Sequence, residues 1–423
     1  MALRGLGTAA HTLLEAASGR STAVAAGLVA VGAVAVGLIL ATAASARAPS
    51  LTYGTLDTWP AHAVAESASG VGNAMFELNW SFFEPTPGNV SGSYVSIMQY
   101  NLRSFQAAGQ HITLGLGLQN PPSWVYGLPD STYVDQNGTR SAEANFVYSQ
   151  AVRTAAATYL SLVNQYLPFS SLWAIRLTSG GDGEMLYPSG GTYWAFDTAA
   201  LTGQGLAAGM TPNPDPAWRP GTAGLSPAQI AQWVSWYVGG LDNVTSWQMR
   251  VLSRLGFTGY YETVTPGSGT RPDALTEEEA QNLPDGFTGV GAVWNLYYAQ
   301  LPDKANVMAY QSSMADQSGG NDGCQASDTA LPLTSPTMDS WSASRWIARI
   351  ADQYGLAVGG ENPGYNMPSH LDGFYRDTNG DGMMADALRQ ARSCGFTVFY
   401  WAHDVHLWDG TLPFSTYAAA ISQ

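Results

Sequence analysis

Leu172-Trp173-Ala174-Ile175-Arg176-Leu177-Thr178-Ser179-Gly180-Gly181-Asp182-Gly183-Glu184 is a short apolar run that closes on a glycine-rich turn and ends in a carboxylate. An apolar run this short, bounded by turn residues, reads as a buried strand, since a helix needs about ten residues or more. Working outward, runs of the same kind occupy residues 74–78, 111–116, 258–262, 305–310, 356–358 and 396–401. Apolar residues at helical spacing fill the gaps and predict helices over 93–108, 144–166, 227–256 and 342–354. Strand and helix in alternation mean a parallel sheet. An open dinucleotide-binding sheet would carry Gly-x-Gly-x-x-Gly after its first strand, and no such turn opens a helix there. The expected fold is therefore a closed (β/α)8 TIM barrel of the α/β class. Seven strands are visible, and the remaining one, third in order, is expected between Tyr133 and Asn145.

Residues 1–48 read as a targeting segment preceding a catalytic barrel at 49–423. Arg4 and Arg20 precede an uncharged run over 23–45, and small residues, Ala44-Ser45-Ala46, close it. That order is a signal peptide, and the run also has the roughly 20 residues of a signal anchor. Either reading puts the barrel outside, secreted or anchored to the outer face of the cell membrane. With 17 basic against 32 acidic residues and a net charge of −15, the chain lacks the basic surface that nucleic acid requires. Lys304 is its only lysine. An exported chain with two cysteines, Cys324 and Cys394, is expected to join them.

In a barrel, the loops that follow the strands converge over one mouth, so an acid just after a strand is a candidate for chemistry. Glu184 is one, and Glu361, in Gly359-Gly360-Glu361-Asn362-Pro363-Gly364-Tyr365, is the other. Glycines before each acid allow a sharp turn and close approach of a ligand. Two carboxyl groups facing each other across a bond are what glycosidic cleavage requires. The chain is accordingly expected to be a glycoside hydrolase acting on an oligo- or polysaccharide, with no cofactor required. His403 and Asp404, in the crowded loop after residue 401, either line a sugar subsite or ligate a metal, although no His-x-x-x-His or Cys spacing supports the metal, and Asp182 beside Glu184 is a candidate sugar contact. Glu77 and Arg176 are read as a buried ion pair, and Glu262 as a rim acid that either contacts sugar or pairs with Arg271. Asp377-Thr378-Asn379-Gly380-Asp381-Gly382 matches the first half of a calcium loop, although Leu388 stands where the twelfth-place acid belongs. Asp377, Asn379 and Asp381 are thus either ligands of a structural Ca²⁺ or a solvated turn.

Three segments carry a family resemblance. Phe76-Glu77-Leu78-Asn79-Trp80-Ser81-Phe82-Phe83-Glu84-Pro85 resembles the first-strand signature of the family 42 β-galactosidases and their clan A relatives. Gln119-Asn120-Pro121-Pro122-Ser123-Trp124, followed by Val134-Asp135-Gln136-Asn137-Gly138, resembles the loop after their second strand. Gly360-Glu361-Asn362-Pro363-Gly364, followed by Asn366, resembles their nucleophile segment. The resemblance implies a retaining mechanism on a β-linked galactoside or glucoside, with Glu361 as nucleophile and Glu184 as acid/base. It implies sugar contacts at Trp80, Asn120, Trp124 and Tyr310, and at Trp401 as the floor of the sugar site. Where the clan has Asn before its acid, this chain has Gly183, and Gly183-Glu184-Met185-Leu186-Tyr187-Pro188 is closer to the inverting β-amylases. The family 42 trimerisation domain is not among these residues. Alternatives are an inverting β-amylase-like hydrolase, a transglycosidase of envelope glycans, and a sugar-binding barrel without activity.

Overall fold

A strand inside a closed barrel pairs on both edges and sends alternate side chains to the barrel interior and to the surrounding helices. The structure, a computed structural model, describes residues 50–284, 286–317, 320, 322–365 and 369–423. Ten strands occur there: β1 (Thr52–Thr55), β2 (Val71–Glu77), β3 (His111–Gly115), β4 (Thr132–Val134), β5 (Arg140–Ala144), β6 (Ala174–Leu177), β7 (Tyr260–Thr265), β8 (Val307–Gln311), β9 (Ala357–Glu361) and β10 (Val398–Trp401). Eight of them, in the order β1-β10-β9-β8-β7-β6-β3-β2, close a parallel barrel with helices between. The expected (β/α)8 architecture is the observed one.

Two strand assignments change. The first barrel strand is β1, four residues with no apolar run, paired in parallel with both β10 and β2. Residues 132–144 form an antiparallel hairpin, β4 with β5, outside the barrel. Asp135 causes the reversal, because its Oδ1 accepts from the Asn137 and Thr139 amides at 2.9 and 2.7 Å while Gly138 takes φ +84°. The segment likened to a first-strand signature therefore lies on the second barrel strand, and the one likened to a second-strand loop follows the third. Strands β6 to β10 keep their expected order.

Parity along each strand decides what reaches the mouth. Val398, Tyr400 and Ala402 join Met75, Met308 and Tyr310 in the barrel interior, whereas Phe399 and Trp401 belong to the larger core between strands and helices. Each aromatic buried there contributes roughly 2–3 kcal/mol. The long helices are Gly92–Ala107, Gln150–Tyr166, Pro227–Arg254 and Ala343–Tyr354, each within about two residues of its expected span except the second, which starts six residues late because Ala144 ends β5. Ser226 and Gln229 close a reciprocal cap at the start of the third. Cys324 and Cys394 form a disulfide, as expected of the pair. No helix among the described residues is long and apolar enough to cross a membrane. Residues 1–48, expected to be a targeting segment, lie outside the described residues.

Candidate active site

Glu184 reaches the mouth on a turn that only glycine builds easily. Gly180 and Gly183 take φ +137° and +76°, so the chain after β6 curls into the short turn Gly181–Gly183 and sets Glu184 at its end. Backbone bonds then fix the acid from both sides, with the Ser179 amide donating to the Glu184 carbonyl at 3.0 Å and the Met185 amide to Val264 at 2.8 Å. The positive φ explains why glycine stands before this acid. The β4–β5 hairpin buttresses the turn, since the Tyr133 hydroxyl donates to the Ser179 carbonyl at 3.3 Å. A Cβ on Gly181 would collide with the Glu143 carboxyl.

Glu361 arrives differently, as the last residue of β9 on the inward parity of Ala357 and Gly359. The two glycines before it have ordinary φ, so the sharp turn expected there is absent. Their reason is close packing: a Cβ on Gly359 would lie 2.5 Å from Met308 Sδ, and one on Gly360 2.8 Å from the Gln311 carbonyl.

Both acids line one cavity of about 240 Å³ at the barrel mouth, together with Asp57, Glu77, Gln119, Arg176, Ser312 and His403. Strand β8 and the residue that follows it serve both acids. The Tyr310 hydroxyl donates to Glu361 Oε2 at 2.5 Å, and two residues on, the Ser312 hydroxyl donates to Glu184 Oε1. Residues two apart on a strand share a face and lie about 7 Å apart. Arg176 Nη2 also donates to Glu361 Oε2, at 2.7 Å. Both donors sit on one oxygen, which leaves Oε1 without a hydrogen bond.

Beneath the cavity lies a charged layer with more acid than base. Burial pushes the Glu361 carboxyl up, and Arg176, Tyr310 and His403 only partly offset that. Burial likewise raises Glu77, and it lifts Glu262 to about 8 despite Arg176. Arg176 is pushed down by burial but held above its ordinary value by the charges of Glu361, Glu262 and Glu77. Arg176 is therefore held cationic, while burial favours the protonated form of Glu262. The expected Glu77–Arg176 pair is not a contact. Glu77 instead accepts from the Gly117 amide and Gln119 Nε2, and the nearest carboxylates to Arg176 are Glu361 at 2.7 Å and Glu262 at 3.9 Å. Arg271 points elsewhere, donating to the Met338 and Trp341 carbonyls.

Of the other expected contacts, Tyr310 and His403 belong to this neighbourhood and several aromatics do not. Trp80 is fully buried, stacked on Tyr159 at 4.9 Å, with its indole N–H donating to Glu84. Trp124 packs edge-on against Trp80. Trp401 is fully buried because β10 parity turns it outward, against Tyr375 and Tyr417, and Tyr400 takes the inward place. None of these three indoles lines the cavity. Asn120 is exposed beyond the lip, where its carbonyl accepts from the Ser81 amide. Asp404 turns the other way, its Oδ2 accepting from the Trp59 amide and pairing with His62 Nδ1, both at 2.8 Å. The side chain of Asp182 and all of Asn366 lie outside what is described. The Asp377–Gly382 turn closes on itself, with the Asn379 amide and side chain both donating to Asp377 Oδ1 at 2.8 Å, and Asp386 is engaged by Arg389 and Gln390. Among the described residues, no group of three or more His, Cys, Asp and Glu side chains is placed to hold a metal ion.

Asp57, Gln119 and Ser312 are cavity residues that the sequence reading passed over. Gln119 and Ser312 each carried a signal, one beside Asn120 and the other in step with Tyr310. Asp57 had none, because the strand before it was not recognised.

No protein-family model matches the chain, and no curated protein matches it. Among solved structures it is similar to the β-galactosidase of the psychrophilic Marinomonas ef1, with a TM-score of 0.53 and 12% identity over 84% of this chain and 54% of that one. The polyextremophilic β-galactosidase of the Antarctic haloarchaeon Halorubrum lacusprofundi gives a TM-score of 0.53 and 12% identity, over 88% of this chain and 57% of the other. The chain thus spans little more than half the length of these two proteins, and at that identity the likeness is one of barrel fold.

Proposed function

We propose that the barrel is a glycoside hydrolase that cleaves β-linked glycosides of galactoside or glucoside type by retaining double displacement. The observation that carries this is the shared cavity, where Glu184 after the fourth barrel strand and Glu361 at the end of the seventh are tied to Ser312, just after β8, and to Tyr310 within it. Glu361 Oε1 attacks the anomeric carbon, the C–O bond breaks, and Glu184 gives its proton to the departing oxygen. Water then loses a proton to Glu184, attacks the same carbon, and releases Glu361. Arg176 and Tyr310 hold Oε2, fix the carboxylate plane, and stabilise the anion that attacks and later leaves. The resemblance of three segments to the family 42 β-galactosidases and the common fold with two β-galactosidases support the substrate class, as analogy.

The proposal includes export. The Cys324–Cys394 disulfide favours an oxidising compartment, in keeping with a signal peptide or anchor in residues 1–48. Gly183 before the acid keeps an inverting, β-amylase-like reaction as a second reading. A panel of aryl β- and α-glycosides tests the substrate class, and proton NMR of the first-formed anomer tests the mechanism. Retained configuration on a β-glycoside supports the proposal. An inverted first product overturns it and makes Glu361 a general base for water.

A further inference from the structure

The cavity holds one carboxylate that neither the charged layer nor the reaction described above uses. Asp57 follows β1 by two residues, and His403 follows β10 by two. Those strands pair, and β10 also pairs with β9, which ends in Glu361. Asp57 Oδ2 lies 2.8 Å from His403 Nδ1, and the Asp57 side chain remains 55% exposed. The two meet as an ion pair and not as a hydrogen bond of ordinary geometry, since His403 Nδ1 has no hydrogen-bond partner. The backbone there has φ +51°, a region that side-chain-bearing residues enter rarely and aspartate more readily than most. Bonds on both sides impose it, the Leu56 amide donating to Trp401 at 3.0 Å and the Thr58 amide to Met75 at 2.9 Å. Strain of this kind persists where neighbours over-determine it, and it gathers at binding sites. His403 is wedged in turn, because a Cβ on Gly364 would stand 2.8 Å from its Nε2, so only glycine lets that loop close on the ring.

Burial favours the neutral acid, yet the adjacent His403 ring and the Arg176 charge hold Asp57 below its ordinary value. Glu77, Glu262 and Glu361 are shifted the opposite way. Asp57 is thus an ionised acceptor facing this cavity, and an ionised carboxylate accepts hydrogen bonds without donating any. In a recess walled by Glu77, Gln119 and Arg176 with no indole face, recognition falls to hydrogen bonds, and the donors a sugar offers are its hydroxyls.

Resting on the hydrolase reading, we propose that Asp57 is a specificity-determining residue, accepting a hydrogen bond from a ring hydroxyl of the sugar held over Glu361, and that His403 is the positioning residue that aims it. Bonds to a charged acceptor are worth more than neutral ones, enough for about a ten- to hundredfold preference for the hydroxyl-bearing sugar.

The test compares wild type, Asp57→Ala and Asp57→Gly on an aryl β-glycoside and on analogues lacking one ring hydroxyl each. In wild type, removing the hydroxyl that Asp57 reads lowers kcat/KM by about ten- to a hundredfold. In both variants that removal has no further effect, while every other removal costs what it costs in wild type. Glycine adopts φ +51° freely, so Asp57→Gly is expected to melt no lower than wild type, which separates recognition from folding. Equal losses at every hydroxyl in wild type and variants overturn the assignment. Wild-type protein that turns over no glycoside fails the hydrolase reading instead, and calorimetry with free galactose, glucose and their deoxy forms then decides the role of Asp57. Sugar binding indifferent to Asp57, or no sugar binding at all, overturns it.

Discussion

Residues 178–186 and 357–362 each carry one carboxylate to the same cavity, by opposite means. The first is a loop. Gly180 and Gly183 are left-handed, the acid's main chain is stitched to Ser179 and Val264, and a hairpin outside the barrel props the turn. The second is a strand end, in register with Tyr400 of β10 and packed so tightly on β8 that Gly359 and Gly360 leave no space for a Cβ. A loop end can follow a proton between leaving group and water, whereas a group that forms and breaks a covalent bond gains from a fixed position. The difference in backbone therefore matches the difference in proposed role.

Substitutions at five positions would break or sharpen that contrast. Glu361→Gly should have the largest effect, lowering kcat/KM by about 10⁴-fold or more on every substrate, since no covalent intermediate can form. Azide added to that variant should yield a glycosyl azide of inverted configuration, read by NMR. Glu184→Gly is expected to cost roughly 10²–10⁴-fold on poor leaving groups, while activated aryl glycosides still form the intermediate. Azide should speed that variant and give the retained anomer. The same anomer from both variants would remove the distinction in roles.

Tyr310→Phe should act only on the strand-borne acid, with a loss of about tenfold to a hundredfold. The Tyr310 hydroxyl stabilises ionised Glu361, so without it the carboxyl pKa rises further and ionisation is completed at higher pH. The acidic limb of the kcat/KM profile should move up in pH while the basic limb stays. Movement of the basic limb alone would detach Tyr310 from the nucleophile.

The smallest effects concern the glycines. Gly360→Ala places a Cβ 2.8 Å from both the Gln311 carbonyl and Met314 Sδ, and is expected to cost about 1–3 kcal/mol in denaturant melts. Gly183 has space, its nearest contact being Gln119 Nε2 at 3.5 Å, so Gly183→Ala should cost only the left-handed backbone term of about 1–2 kcal/mol. Asn tolerates that region, and Gly183→Asn should cost less than Gly183→Ala. Equal stability losses for the two Gly183 substitutions would mean that φ is not what selects glycine there.

Much of this molecule was legible in its residues. Short apolar runs closing on Gly and alternating with helical spacing gave the barrel, and the rule that chemistry follows strands singled out Glu184 and Glu361. The two cysteines of the chain could be paired by number alone. The errors share a cause. The stretch between Tyr133 and Asn145, expected to hold the third barrel strand, folds as a hairpin because the Asn137 and Thr139 amides donate to Asp135, and Thr52-Tyr53-Gly54-Thr55 is a barrel strand whose own residues announce nothing. Trp80 and Trp401 looked like sugar platforms because large aromatics serve as both core and contact.

Local pattern by itself determined the class of fold, the strand ends worth examining and the two carboxylates, because those depend on spacing along the chain. Tertiary structure alone decided that β1 closes the barrel, that Tyr400 and not Trp401 faces inward, and that Asp57, Arg176 and His403 surround Glu361. Closure and register are contacts between residues from opposite ends of the barrel sequence, as in the pairing of Thr52 with Val398, and no local sequence signal specifies a partner at that distance.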